Sequence, residues 1–417
     1  MKHLCTALCA TLLLFVVSSC AVLGTRADVD EERPDPEDRR SETAQPSPLP
    51  EAATRMQYVS AHSELVLGLD SSGTVWRWGA TDADLGGPPW SGAVVTTRQV
   101  PAFHGATWVS VAAGPSHAVL VSGQGGLYTW GNNAGNVLGL GSSFSHVRFL
   151  VDVNRIAASE HWVRAFAGAD VSFAITQDGR VFAWGMPASG ALGLGEITID
   201  NPALTLFEFW GPTDRTEELA VPQPEQIDGL TGIVEIALGE SFALALTAGG
   251  HVYSWGRNDS GMLGLGDRED RYVPNRVELP MSADRVAAGT YSAFAVTETG
   301  RLYGWGGNRY GELGSVANGN EETPVPVFPE RRWHMVATGA HTGLDGVDRP
   351  VVYGISDSGW LYSWASGSSD PLPVPGDTGG WATVTVGRSR IIGVRQNGAV
   401  YSWVHGESVP TSRLTFP

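Results

Sequence analysis

Seven segments of this chain repeat one pattern, a glycine, a variable residue or two, an apolar or aromatic pair and a tryptophan: Gly73–Gly79, Gly126–Gly131, Gly179–Gly185, Gly250–Gly256, Gly300–Gly306, Gly359–Trp364 and Gly398–Trp403. A period of tens of residues marks stacked or radially arranged units, because a unit that small cannot bury its apolar surface alone. The repeat therefore restricts the fold to an array. It also organises 417 residues without a conventional split into two globular domains.

Short apolar runs precede each tryptophan segment, among them Trp108–Ala113, Val163–Ala167, Ile233–Leu238, Arg285–Ala288 and Trp381–Val386. A turn follows at Gly114, Gly168, Gly239, Gly289, Gly339 and Gly387, and then a second run such as Phe242–Thr247 or Ala293–Thr297. These runs are rich in β-branched and aromatic residues, as strands are. Pairs such as Asn397-Gly398 and Asp178-Gly179 suit tight hairpins. Fourth strands are expected at Arg98–Phe103, Phe149–Val153, Val221–Gln226, Val273–Leu279, Val325–Val327 and Arg413–Phe416. After several tryptophans comes a second signature, Gly135–Gly141, Gly190–Gly195, Gly261–Gly266 and Gly311–Gly314, with leucine between glycines. It lacks the lysine of a phosphate-binding loop and does not open a βαβ unit, so it reads as turn chemistry. Units of four short strands imply an all-β, seven-bladed β-propeller of antiparallel sheets, whose closure protects sheet edges. An open β-solenoid is the competing array.

The combination of Val286-Ala287-Ala288-Gly289, Ala293–Thr297, Gly300–Asn308 and Gly311-Glu312-Leu313-Gly314 resembles a repeat of the regulator of chromosome condensation family. That resemblance covers residues 56–417 and implies a seven-bladed propeller serving as a protein-binding platform. The outer units depart from it: the first keeps only Asp84-Leu85-Gly86-Gly87, and Ala365 and Val404 replace the glycine after Trp364 and Trp403.

The N-terminus is organised differently. Lys2 precedes the apolar run Leu12–Val17, and Val17-Ser18-Ser19-Cys20 resembles the bacterial lipobox. The run is too short to span a bilayer, and the pattern is that of a secretory signal. Residues 1–19 are expected to be a signal peptide, with Cys20 the acylated first residue of the mature chain. An ordinary cleaved signal is the alternative. Ala21 in the next position implies, by the Gram-negative rule, an outer-membrane address. Residues 20–55 then form an acidic, proline-rich tether, and 56–417 the propeller. Cys5, Cys9 and Cys20 are the only cysteines, so the repeat region has neither disulfides nor a thiolate metal site.

Charge demotes nucleic acid as a partner. The chain carries 44 acidic residues against 27 lysines and arginines, a formal −17, where phosphate binding calls for a basic surface. Equivalent placement argues that Trp78, Trp130, Trp184, Trp255, Trp305, Trp364 and Trp403 pack between blades rather than stack on sugars. Aromatics outside the repeat, Trp90, Phe207, Phe209, Trp210 and Trp333, are the contact candidates. The largest insertion, Glu196–Arg215, is too apolar to stand exposed without packing or a partner. His334, His341, Asp345 and Asp348 cluster in sequence but match no metal-ligand spacing, and no cofactor motif is present. The expected function is a non-enzymatic scaffold at the bacterial envelope, binding another envelope or extracellular protein. The alternative is a cell-wall glycan or peptide hydrolase whose active site the propeller supports.

Overall fold

The computed structural model describes residues 55–62, 65–78, 98–99, 106–141, 149–186, 188–197, 220–314, 319–342, 348–364, 370–387, 390–406 and 408–409. They form seven antiparallel sheets, six of four strands and one of three, each ordered as its strands follow in sequence. The sheets are the blades of a ring. Their first strands, Met56–His62, Trp108–Ala113, Trp162–Ala167, Ile233–Leu238, Ala283–Ala288, Trp333–Thr342 and Trp381–Val386, line its axis.

One hydrogen bond recurs at every junction. The amide of the first residue of each blade donates to the carbonyl of the hairpin glycine of the blade before it: Trp108 to Gly73, Trp162 to Gly125, Ile233 to Gly179, Ala283 to Gly250, Trp333 to Gly300 and Trp381 to Gly359, at 2.8–3.2 Å. The seventh, Met56 to Gly398 at 3.4 Å, closes the circle. The glycine that lets the hairpin turn thus also lets the next blade approach its backbone. Immediately after that residue each of the seven first strands shifts register, a bulge of the kind that bends a strand and increases its twist.

The core lies between blades rather than within one. Leu65, Leu120 and Trp130 join blades 1 and 2; Leu244, Ala295 and Trp305 join 4 and 5; Val59, Trp76 and Val394 join 7 and 1. Burying one tryptophan contributes about 4–6 kcal/mol of transfer free energy before ordering costs. The outermost strands carry Pro222, Pro224, Pro274, Pro324 and Pro326, which remove donors from the exposed edge and discourage pairing with another chain.

Two expectations are corrected. Blade 6 has a fourth strand, Leu372–Pro373, concealed in the sequence by the prolines on both sides. Gly339 does not turn the chain: it pairs with Val351 inside a hairpin that continues to Thr342 and Asp348. The expected strand Arg413–Phe416 lies outside the described residues.

Candidate interaction face and channel

Antiparallel order dictates which segments share a face. In each four-stranded blade the turn between strands one and two emerges on the same side as the connection between strands three and four. That side, the loop face, collects the five longest connections between strands, 79–97, 133–148, 186–220, 257–270 and 307–320, together with the shorter 365–371. The opposite hairpin face has the tight glycine turns and the short links between blades. Variation in loop length is therefore greatest on one side of the disc.

The second signature fastens these loops to the next blade. Trp184 Nε1 donates to Val137 O at 2.8 Å, Trp255 to Ala191 O at 2.9 Å, Trp305 to Met262 O at 2.8 Å and Trp364 to Glu312 O at 2.8 Å. Each acceptor immediately precedes the loop leucine of the preceding blade. Those leucines, Leu138, Leu192, Leu263 and Leu313, are buried. A Cβ on Gly264, at φ +67°, would lie 2.8 Å from the Trp305 ring, so only glycine admits the indole. An asparagine completes three of the loops: Asn133, Asn258 and Asn308 Oδ1 accept from the amides of Leu138, Leu263 and Leu313 at 2.9–3.0 Å. Sequence reasoning did not assign this role, although asparagine three residues after tryptophan was its signal.

The axial channel encloses about 980 Å³. Small residues of the first strands, such as Ala113, Ala237 and Ala287, keep it open, and at the loop face Tyr291, Arg309 and Tyr310 approach its mouth. Blade 6 alone projects beyond the others there, by the four pairs Gly339–Val351, Ala340–Pro350, His341–Arg349 and Thr342–Asp348. At roughly 3.3 Å per residue this arm rises about 13 Å.

Three buried ionisable groups are structural in their settings. His117, fully buried, lies 3.0 Å from Ser172 Oγ, which donates its only hydrogen to Val137 O. Its Nε2 must therefore be the donor. Burial pulls its pKa down to about 3, with His62 adding to the effect, so the ring is neutral. Glu235 sits in the first strand of blade 4; burial raises its pKa to about 8 despite the opposing fields of Arg164 and Arg285 in blades 3 and 5. Glu312 is raised by burial, and its carboxylate accepts the Tyr310 amide at 2.7 Å. The two acids belong to opposite faces, Glu235 near the hairpin face and Glu312 on the loop face, so they do not form a pair. His334 and His341 lie at opposite ends of one strand, roughly 20 Å apart, and among the described residues no group of three His, Cys, Asp or Glu could hold a metal.

Of the expected packing tryptophans, Trp130, Trp184, Trp255, Trp305, Trp364 and Trp403 are buried. Trp78 falls in the third strand of blade 1 opposite Val66. Trp333 is corrected as a contact candidate. It is 1% exposed, packed against Phe328 and Trp364, and occupies the same first-strand position as Trp108, Trp162 and Trp381. This second tryptophan series escaped notice because isoleucine, alanine and methionine fill its place in the other blades. Cys20, Trp90, Phe207, Phe209 and Trp210 lie outside the described residues, although the strands bounding the last four end on the loop face. Ile197, at the start of the large insertion, packs on the core of blades 2–4.

A family profile described as an RCC1-like domain matches residues 11–345. The ultraviolet-B receptor UVR8 of Arabidopsis thaliana is 31% identical over 206 residues, 49% of this chain and 42% of the receptor. The E3 ubiquitin-protein ligase HERC2 of Homo sapiens is 31% identical over 227 residues, 53% of this chain and 4% of the ligase. The match thus spans less than half the length of either relative. Among solved structures, yeast RCC1 (Prp20) bound to Kap60 superposes with a TM-score of 0.62 at 20% identity, covering 80% of this chain and 78% of that one. Prp20p of Saccharomyces cerevisiae, described with its binding properties to Gsp1p and histones, gives 0.61 at 21% identity, with 80% of each chain covered. Human WBSCR16 gives 0.62 at 17% identity, covering 85% and 94%.

Proposed function

The chain belongs to the RCC1-like domain family, and from that premise we propose that it is a non-enzymatic protein-binding scaffold, displayed at a bacterial cell envelope through an acylated Cys20 and an acidic tether. The observation that carries this reading is the division of labour between the two faces. Six of the seven repeat tryptophans are sealed between blades, while the five longest connections leave from one face, those of blades 2–5 fastened to the next blade by Trp–Leu-Gly contacts. A rigid platform lowers the ordering cost of binding. The yeast relative bound to Kap60 and the binding of Gsp1p and histones by Prp20p support a protein as the partner class. The acidic balance of this chain favours a protein over nucleic acid.

The recognition segment is residues 199–215, which include Phe207, Phe209 and Trp210, with Trp90, in the connection of blade 1, as a further contact. The test is photo-crosslinking in the native envelope with a chain lacking residues 199–215. Loss of the crosslinked partner with an unchanged β-sheet spectrum is expected. Undiminished capture rejects this segment as the contact. Hydrolysis of cell-wall glycans or peptides by the purified chain would replace the scaffold reading with the hydrolase one.

A further inference from the structure

The blade 6–7 junction cannot use the fastening seen elsewhere. Between Trp364 and Leu372 the sequence has no leucine, so blade 6 offers no Leu-Gly turn to Trp403. The contact is made from the other side. Beyond the third strand of blade 7 (Val400–Trp403) the chain returns to blade 6, where His405 Nδ1 lies 2.9 Å from Tyr353 Oη and the two rings meet edge-on at 5.8 Å. Val409 N then donates to Pro375 O at 2.9 Å. Its side chain, 6% exposed, joins Tyr353, Val374, Trp381 and Trp403 in one apolar cluster. Tyr353 is in the second strand of blade 6 and Pro375 follows its fourth, so both anchors belong to the neighbour.

We infer that His405 and Val409 form a latch that holds blade 7 on blade 6 in place of the missing Leu-Gly turn, and that the ring opens first at this seam when the latch is released. A separate observation points to the same blade. Its other flank is closed by the longest of the seven recurring junction bonds, Met56 to Gly398 at 3.4 Å. Regions with fewer buried contacts open sub-globally before the rest.

Hydrogen exchange of the full chain, read by mass spectrometry, tests this. Val409→Asp places a charge in the apolar cluster, and amides of the first strands of blades 7 and 1 should exchange at least ~10-fold faster while blades 2–4 keep their rates. An unchanged pattern, or an equal rise in all blades, overturns the proposal. A second variant covers failure to fold. A Cβ at Gly376 would lie 3.5 Å from Ser408 Cβ, within the range a disulfide bridges. In Gly376→Cys/Ser408→Cys the positive φ at 376 strains oxidised and reduced forms alike, so their difference isolates the latch. Oxidation should slow exchange in blade 7 about tenfold; identical rates in the two forms would show that the segment holds nothing closed.

Discussion

Asn258 offers the most direct perturbation of the loop fastening. It is fully buried; its Oδ1 accepts the Leu263 amide at 2.9 Å and its Nδ2 donates to Asp267 O at 3.0 Å and Oδ1 at 3.1 Å. Asn258→Ala leaves a buried amide and a carbonyl without partners, a cost of about 2–4 kcal/mol. Asn258→Asp preserves the volume and the acceptor but sets a second carboxylate beside Asp267. The Glu269 amide, with Arg271, holds Asp267 below the usual carboxylate range, so it is ionised at neutral pH. Two such charges repel by about 2–4 kcal/mol at the dielectric of a partly buried site. The folded-state pKa of the introduced acid is thereby raised above its unfolded value of about 3.9. Stability is accordingly near its maximum below pH 4 and falls as pH rises through the raised value. Urea unfolding followed by tryptophan fluorescence at pH 4 and pH 7 should show a penalty for Asn258→Asp that is large at pH 7 and under ~1 kcal/mol at pH 4. Since the loop also supplies Met262 O to Trp305, amides of blade 5 should lose exchange protection with those of blade 4. Equal stability of Asn258→Asp and the parent at pH 7 would refute the role assigned to this side chain.

His117 contributes to acid sensitivity: its pKa is about 3 when folded and about 6.5 when unfolded, so its contribution is complete above pH 6.5 and declines by up to about 1.4 kcal/mol per unit as pH falls toward 3. His117→Gln should flatten that part of the curve, measured by denaturant titration between pH 7 and 4. Trp305→Phe deletes the bond to Met262 O and part of the packing, and should cost about 2–4 kcal/mol in the same assay. Trp333→Phe should lower stability without altering capture of the partner, because the residue is sealed in the core; a selective binding loss would restore it as a contact. Mass analysis of the mature N-terminus should find acyl groups on Cys20, and Cys20→Ser should release the protein from membranes.

The sequence by itself determined the array, its strand order and its sevenfold count, since the glycine–tryptophan period needs only neighbour-to-neighbour packing to be expressed. It also indicated that the repeated tryptophans are internal, as Trp130, Trp184, Trp255, Trp305, Trp364 and Trp403 are, because a residue in the same place in every unit meets the same surroundings. Tertiary structure alone decided which partners they find. Trp184 and Val137, or Trp364 and Glu312, are far apart in sequence and meet because each indole crosses to the preceding blade. Trp333 is not visibly repeated in the sequence, because Ile233, Ala283 and Met56 hold its position in other blades; its kinship with Trp108, Trp162 and Trp381 is one of register at a bulge. The return of Val409 to Pro375 was hidden as well. A chain segment with no motif of its own acquires a role there only because the neighbouring blade leaves a place unfilled.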